Sequence, residues 1–482
     1  MHGYTGKNRF ECIQWKTKIE MLPEDTLLEI FDFYRLDALE QSAGRPWNWH
    51  RLALVCRRWR HVISVSPRRL DLRILCERRR SIKNILGFWP TLPIAVRYDA
   101  HSESKRMSGT IMAALNHPDR LCDINLNVTS SMTGPVVRMV PKSPCLALER
   151  IQIRVKDATG PSILIHDTFL GGSAPHLREI ELDGISFPFL EIRRVLSSTD
   201  NLTELHLSKI PHAAYFSPDE LVTGLSTLVQ LKSLTVDFHS PASSPPFSTT
   251  RQPPQSTTLP SREYFYFHGT SEYLDDFVSR IDLPALRNFT IKFFNQIFFD
   301  LPQFGQLIPH LNALESPTHL RITHSAELVS ILFLPDAGPA SRRICSFETS
   351  CRRLDWQLSF VTQILGHLPP LLFRVVRVTV ETNQGMPTGE DTDSTQWLEL
   401  FQSLTHAKEV GVMEAQLVPS VAQALATEAM ATGVLPELSF LYLHGFGSSN
   451  SPFLSNAVEQ FVSMRRHSGR PVSINRMRKE LF

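Results

Sequence analysis

Seven cysteines and eighteen histidines are the residues of this chain with the widest chemical scope. At ligand spacing they would hold zinc, and evenly paired thiols would make a disulfide framework. Cys12, Cys56, Cys76, Cys122, Cys145, Cys345 and Cys351 do neither: their number is odd, their spacing is irregular, and no C-x-x-C occurs. The histidines are scattered, with none at metal-ligand spacing. Hydrolase, zincin, phosphate-loop and dinucleotide signatures (G-x-S-x-G, H-E-x-x-H, a Walker loop, G-x-G-x-x-G) are all missing. Gly171-Gly172-Ser173 reads as a turn. No residue is therefore assigned to catalysis, to a cofactor or to a metal. Most of the thiols sit among apolar residues as small core groups, which points to a reducing compartment, the cytosol or the nucleus.

Polar residues that alternate with apolar ones carry a different chemistry, that of recognition. Glu181 and Asp183, His206 and Ser208, Thr235 and Asp237, Tyr266 and His268, Thr290 and Lys292, and Arg321 and Thr323 each flank the second apolar residue of a short run. In a strand such residues share the face opposite the core. The set passes from acidic at Glu181 and Asp183 to basic at Lys292 and Arg321. A polar face with an embedded tyrosine suits a protein partner. The expected partner-binding residues are thus Glu181, Asp183, His206, Asp237, Tyr266, His268, Lys292 and Arg321. The bland alternative is an ordinary solvated sheet surface.

The strands that must position them follow the template L-x-x-L-x-L. With 42% apolar residues, three template positions fill by chance at roughly 7% of sites, so spacing is the evidence. Twelve units start at Leu121, Leu148, Leu177, Leu202, Leu231, Arg262, Leu286, Pro317, Ile344, Val375, Ala407 and Leu438. They recur about every 29 residues, the length of one strand–helix unit. Arg262, Pro317, Ile344 and Ala407 head the poorest fits. Earlier candidates begin at Pro67 and Thr91, and a last strand is expected at Val472–Ile474. Helical stretches fall between strands at Leu190–Leu196, Pro218–Val229, Ser271–Ile281, Asp355–Leu365 and Pro419–Ala431. Together these predict an α/β solenoid over residues 65–465 with one curved, parallel sheet.

Residues 21–64 read differently. Leu22-Pro23-Glu24-Asp25 is a helix start, with proline at the first position and acids in the first turn. Leu27, Ile30, Phe31 and Tyr34 form one apolar stripe. A second helix is expected from Trp49 to Ile63, with the stripe Leu52, Val55, Cys56, Trp59, Val62 and Ile63. About 45 residues bury two such stripes poorly alone, so surplus apolar surface is left for a partner. These phrases, above all Val55-Cys56-Arg57-Arg58-Trp59, resemble an F-box. The resemblance implies a three-helix module that docks the Skp adaptor of cullin–RING ubiquitin ligases, with Leu22, Pro23, Leu27, Ile30, Leu52, Val55, Cys56 and Trp59 as docking candidates. The spacer between its halves, Leu36 to Asn48, is long. The repeats lack the usual Asn, with Ile185, Ile210 and Phe446 in its place. They resemble the irregular, ribonuclease-inhibitor-like arrays that follow F-boxes, notably in mushroom-forming fungi.

The function these resemblances imply is that of a substrate receptor in a ubiquitin ligase, joined to the Skp adaptor and a cullin scaffold. Alternatives are an F-box scaffold outside a cullin ligase, a nucleic-acid-binding array or a hydrolase. The remaining segments are a tail at 1–20, a Pro/Ser/Thr-rich loop at 240–260 expected to be disordered, and a basic tail at 466–482. Residues 385–395 read as an acidic loop. Arg68, Arg69, Arg73 and Arg78–Arg80 make a basic cluster, read as a solvated junction face, a nuclear signal or a nucleic-acid contact. Net charge is +2, so bulk charge demands neither nucleic acid nor an anionic membrane. No run approaches a membrane span or a secretory signal.

Overall fold

The structure is a computed structural model. It describes residues 22–41, 50–66, 70, 72–76, 86–87, 89, 91–100, 109–130, 140–156, 168–240, 257–261, 263–307, 317–335, 345–382, 394–413, 417–426, 433–443 and 452–475. The 1–20 tail, Arg68, Arg69, the Arg78–Arg80 cluster, most of 240–260, the acids of the 385–395 loop and residues 476–482 lie outside that set.

Eighteen strands follow the helical unit: β1 Ile74–Cys76, β2 Ile94–Asp99, β3 Leu121–Val128, β4 Arg150–Val155, β5 Glu179–Asp183, β6 Glu204–Ile210, β7 Ser233–Phe238, β8 Thr257–Thr258, β9 Tyr264–Gly269, β10 Ile281–Asp282, β11 Asn288–Phe293, β12 His319–His324, β13 Leu328–Leu334, β14 Cys345–Ser350, β15 Arg377–Thr382, β16 Glu409–Val412, β17 Phe440–Leu443 and β18 Ser473–Asn475. Sixteen of them form one sheet, in the order β1-β2-β3-β4-β5-β6-β7-β9-β11-β14-β13-β12-β15-β16-β17-β18. The expected α/β array is present, and every unit from Leu121 to Leu438 supplies a strand. The weak templates at Arg262, Pro317, Ile344 and Ala407 do so as well, because Phe265, Leu320, Phe347 and Val410 are all buried. The Pro67 unit is shifted: Leu70 and Leu72 are buried, but the strand begins at Ile74.

The expectation of a wholly parallel sheet needs one correction. β13 pairs antiparallel with both β12 and β14. β14, rather than β12, continues the parallel ladder from β11, and β12 pairs instead with β15. The chain leaves β11, skips two strand positions and fills them by running back through β13 and β14. No helix separates β12 from β13, and Ser325 turns the chain there: its N–H and its hydroxyl each donate to Leu328 O at 2.8 Å, and its Oγ accepts from Leu328 N at 3.0 Å. Val329, Ile331 and Phe333 alternate inward along β13.

Burial alternates along the parallel strands. Ile180 and Leu182 face the core while Glu179, Glu181 and Asp183 face away, the pattern of a sheet covered on one side. Helices cover the core side. Pro218–Leu225 opens with a capping box in which Ser217 Oγ accepts from Glu220 N and the Glu220 carboxylate accepts from Ser217 N. Burying the inward stripes fills the space between layers with rings. Phe238 packs on Phe216 and Tyr273, and Phe289 packs edge-on against Phe304 and Phe347. The 240–260 expectation is corrected at its end: Thr257–Thr258 pairs parallel with Ile281–Asp282, and Leu259 is buried. Three apolar or β-branched residues next to a strand edge outweigh the composition of the rest.

Candidate functional site

Three helices form the N-terminal unit: α1 Glu24–Gln41, α2 His50–Ala53 and α3 Arg57–Val65. The expected single helix over 49–63 is two. Cys56 is extended at φ −155° and its Sγ accepts from Trp59 N at 3.4 Å, so it caps α3 and breaks the helix behind it. Arg60 ties the break by donating to Ala53 O at 3.0 Å. The Arg58 guanidinium donates to Leu22 O, joining α3 to the start of α1.

The docking candidates divide. Leu27, Leu52 and Trp59 are buried and build the unit's own interior, where Trp59 meets Phe31 edge-on with ring centroids 4.8 Å apart. Leu22 and Cys56 are half-buried, and Pro23 is exposed. Ile30 and Val55 are 40% and 58% exposed. Leu27 and Phe31 of the expected α1 stripe are buried together with Leu28, whereas Ile30 faces outward. Two residues beyond the expectation, Phe33 and Leu54, are each 72% exposed. Breaking the helix at Leu54–Cys56 is what turns Leu54 and Val55 outward, a consequence that helical periodicity does not carry.

On the array, all eight expected partner-binding residues are half-buried on the sheet face away from the core. Register aligns Gln152, Glu181, His206, Thr235, Tyr266 and Thr290 in one row across six strands. A second row runs Asp237, His268, Lys292 and Glu348. Arg321 lies beyond the hairpin, beside Leu332 and Thr379. The face therefore joins seven of the residues closely and sets Arg321 apart.

Its charges are answered locally. Arg154 binds Glu181 through two nitrogens, and Lys209 lies 3.0 Å from Asp183. His206 bonds Thr235 Oγ1 at 2.8 Å and lies 3.4 Å from Glu204. His268 bonds Asp237 at 2.8 Å, and its ring packs at a tilt against Phe294 with centroids 4.6 Å apart. Arg321 lies 4.0 Å from Glu381. Burial, then Asp237 and Glu348, pushes the Tyr266 hydroxyl up to about 12, so it stays a neutral donor. The expected acidic-to-basic gradient is thus largely paired out between neighbouring strands. Arg154, Lys209 and Glu381, which supply the pairing, were outside the sequence expectation.

Burial raises the thiols of Cys76, Cys122 and Cys145 to about 12, leaving them protonated and unreactive. Among the described residues no His, Cys, Asp and Glu group is arranged to hold a metal ion. No described helix is long and apolar enough to cross a membrane.

A family model described as F-box-like matches residues 19–72. The N-terminal unit is F-box-like, and the rest of the chain lies outside that match. No curated protein sequence matches the chain. Among solved structures, the leucine-rich repeat-containing protein LegL7 from Legionella pneumophila is 11% identical, covering 83% of this chain and 99% of that one at a TM-score of 0.26. The likeness to arrays of mushroom-forming fungi rests on sequence phrases alone.

Proposed function

We propose that this chain is a non-catalytic adaptor. Its F-box-like unit docks the Skp adaptor of a cullin–RING ubiquitin ligase, and the polar face of its sheet takes a protein partner for ubiquitylation in the cytosol or nucleus. The observation that carries the reading is the set of apolar side chains that the helical unit leaves in water: Ile30, Phe33, Leu54 and Val55. A unit whose core is already complete around Leu27, Phe31 and Trp59 has no internal use for them, and such surface marks an interaction site. Pairing along the sheet face leaves a polar platform without a basic excess and with Tyr266 near its middle, suited to a protein surface rather than to nucleic acid.

Co-purification of the full chain with a Skp adaptor and a cullin tests both halves. Burying Leu or Val is worth about 1.5–3 kcal/mol each, so Leu54→Asp with Val55→Asp should weaken adaptor binding at least ~100-fold while circular dichroism stays unchanged. Lys292→Glu with Arg321→Glu should keep the adaptor and lose a protein partner. Adaptor capture that survives the first pair of changes refutes the docking assignment.

A further inference from the structure

The hairpin excursion through β13 opens a cleft at the carboxyl ends of β11 and β14, with a volume of about 370 Å³. Asn295 follows β11, Glu327 lies in the β12–β13 turn, Ser350 ends β14, and Arg352, Arg353 and Trp356 follow it. The connections of two neighbouring strands diverge here. The chain after β11 goes on to β12, and the chain after β14 enters helix Leu354–Gly366. Such divergence is where α/β sheets leave room for ligands.

The chemistry of the walls is specific. Arg352 and Arg353 are 82% and 64% exposed, and their partners are weakly placed: Glu327 lies 3.5 Å from Arg352 and Asp355 3.4 Å from Arg353. Pairs this open to water exchange readily. Asp355 is also committed elsewhere, since its Oδ1 accepts from Trp356 N at 2.9 Å. Helix Leu354–Gly366 presents its positive end to the cleft, and the Arg353 side chain at its N-cap makes no capping bond. The Trp356 indole is 47% exposed on the wall. The lining itself holds two arginines against Glu327, with Asp355 outside it beside Arg353, so a single carboxylate can replace one of these open pairs, whereas a dianionic group would exceed what the site offers.

A second feature lies along the same helix. Gln363 donates to Ile297 O at 3.3 Å and accepts from Phe299 N at 2.9 Å, fixing the 297–299 segment two turns beyond Trp356. Ile297 and Phe298 are 70% and 76% exposed. Seven residues of helix rise about 10 Å, the reach of roughly three residues of extended chain.

We propose that this cleft binds an extended acidic peptide of a partner protein, its carboxylate held by Arg352 and Arg353 and a large apolar residue about three positions away seated against Ile297 and Phe298. Trp356 stacks on the peptide between the two points. The site is separate from the sheet face and from the F-box-like unit, so its test does not depend on either.

Fluorescence anisotropy of the full chain with labelled nonapeptides provides that test. The probes carry one Glu and one Leu three positions apart in a Gly/Ser background, in both orders. Comparison peptides replace Glu by Gln, Glu by phosphoserine, or Leu by Ser. One Glu/Leu order should bind at least tenfold tighter than its Gln counterpart. That preference should vanish in Arg352→Glu with Arg353→Glu, and the Leu preference should fall about fivefold in Phe298→Ser. All three positions are exposed, and circular dichroism should be unchanged. Equal binding of Glu and Gln peptides, binding indifferent to the arginine changes, or no saturable binding up to millimolar chain would overturn the proposal. A phosphoserine peptide tenfold tighter than the Glu peptide would overturn the carboxylate assignment.

Discussion

His324 should make the array acid-sensitive over a defined window. It is fully buried at the end of β12, and its Nδ1 lies 2.9 Å from Gln357 Oε1. Gln357 Nε2 donates to Ser325 O at 2.8 Å and Cys351 O at 2.7 Å, so its Oε1 is the acceptor and His324 Nδ1–H the donor. His324 Nε2 has no hydrogen-bond partner among the described residues, and the Trp397 ring is its neighbour at 6.3 Å. Burial lowers its pKa from 6.5 to about 4, partly offset by the Gln357 bond. Because the folded pKa lies below the unfolded one, the unfolded chain takes up the proton first on acidification. The stabilisation is full above pH 6.5 and is lost as pH falls from 6.5 toward 4. Each unit is worth 1.36 kcal/mol, so the whole window is worth about 3 kcal/mol, of which about 2.5 kcal/mol is gone by pH 4.5. Urea unfolding at pH 7.0 and pH 4.5, for the wild type and His324→Asn, isolates this part because carboxylate contributions are common to both chains. The wild type should lose about 2.5 kcal/mol more than the variant. Equal losses would refute the buried, neutral histidine.

Two further changes test the packing. Leu27→Ala removes a fully buried side chain from the interior of the helical unit and should cost about 2–5 kcal/mol, read as an early loss of helical signal on heating and, in co-purification, as a weaker hold on the adaptor. Gly171→Ala should destabilise the 169–172 turn by at least ~1–2 kcal/mol, because Gly171 sits at φ +59° and an added Cβ would lie 2.4 Å from Pro144 N; urea unfolding reads the loss, and an unchanged midpoint would show the turn can relax.

Where a structural rule acts within one repeat, the sequence carries it. Ile180 and Leu182 had to face inward together because strand side chains alternate, and the helices had to follow because a strand with one apolar face needs a cover. Rules that act between elements were less legible. The helix break at Leu54–Cys56 depends on the Cys56 Sγ reaching Trp59 N; an apolar period that runs unbroken from Leu52 to Ile63 conceals it. The outward turn of Leu54 and Val55, on which the docking proposal rests, follows from that one bond.

The β13 reversal had a local sign that the repeat template hid. No helical stretch falls between the units at Pro317 and Ile344, while Val329, Ile331 and Phe333 alternate at period two between them. A template that expects strand, helix, strand reads that interval as a short irregular unit. A strand there must instead run antiparallel, because a short turn such as Ser325–Glu327 cannot supply the crossover that a parallel neighbour requires. Once β13 runs backward, β14 must take the place beside β11, and its exit into helix Leu354–Gly366 falls next to the exit of β11. Gln357 then pins the result, since its two carbonyl partners, Ser325 O and Cys351 O, belong to the β12–β13 turn and the end of β14. The residue that bonds the buried His324 thus also fixes the backbone flanking Glu327 and Arg352. Acidification toward pH 4 should therefore loosen the cleft walls before it reaches the parallel strands β3 to β7, where Leu126, Ile153, Leu182, Leu207 and Val236 fill the core with no buried histidine among the described residues beside them.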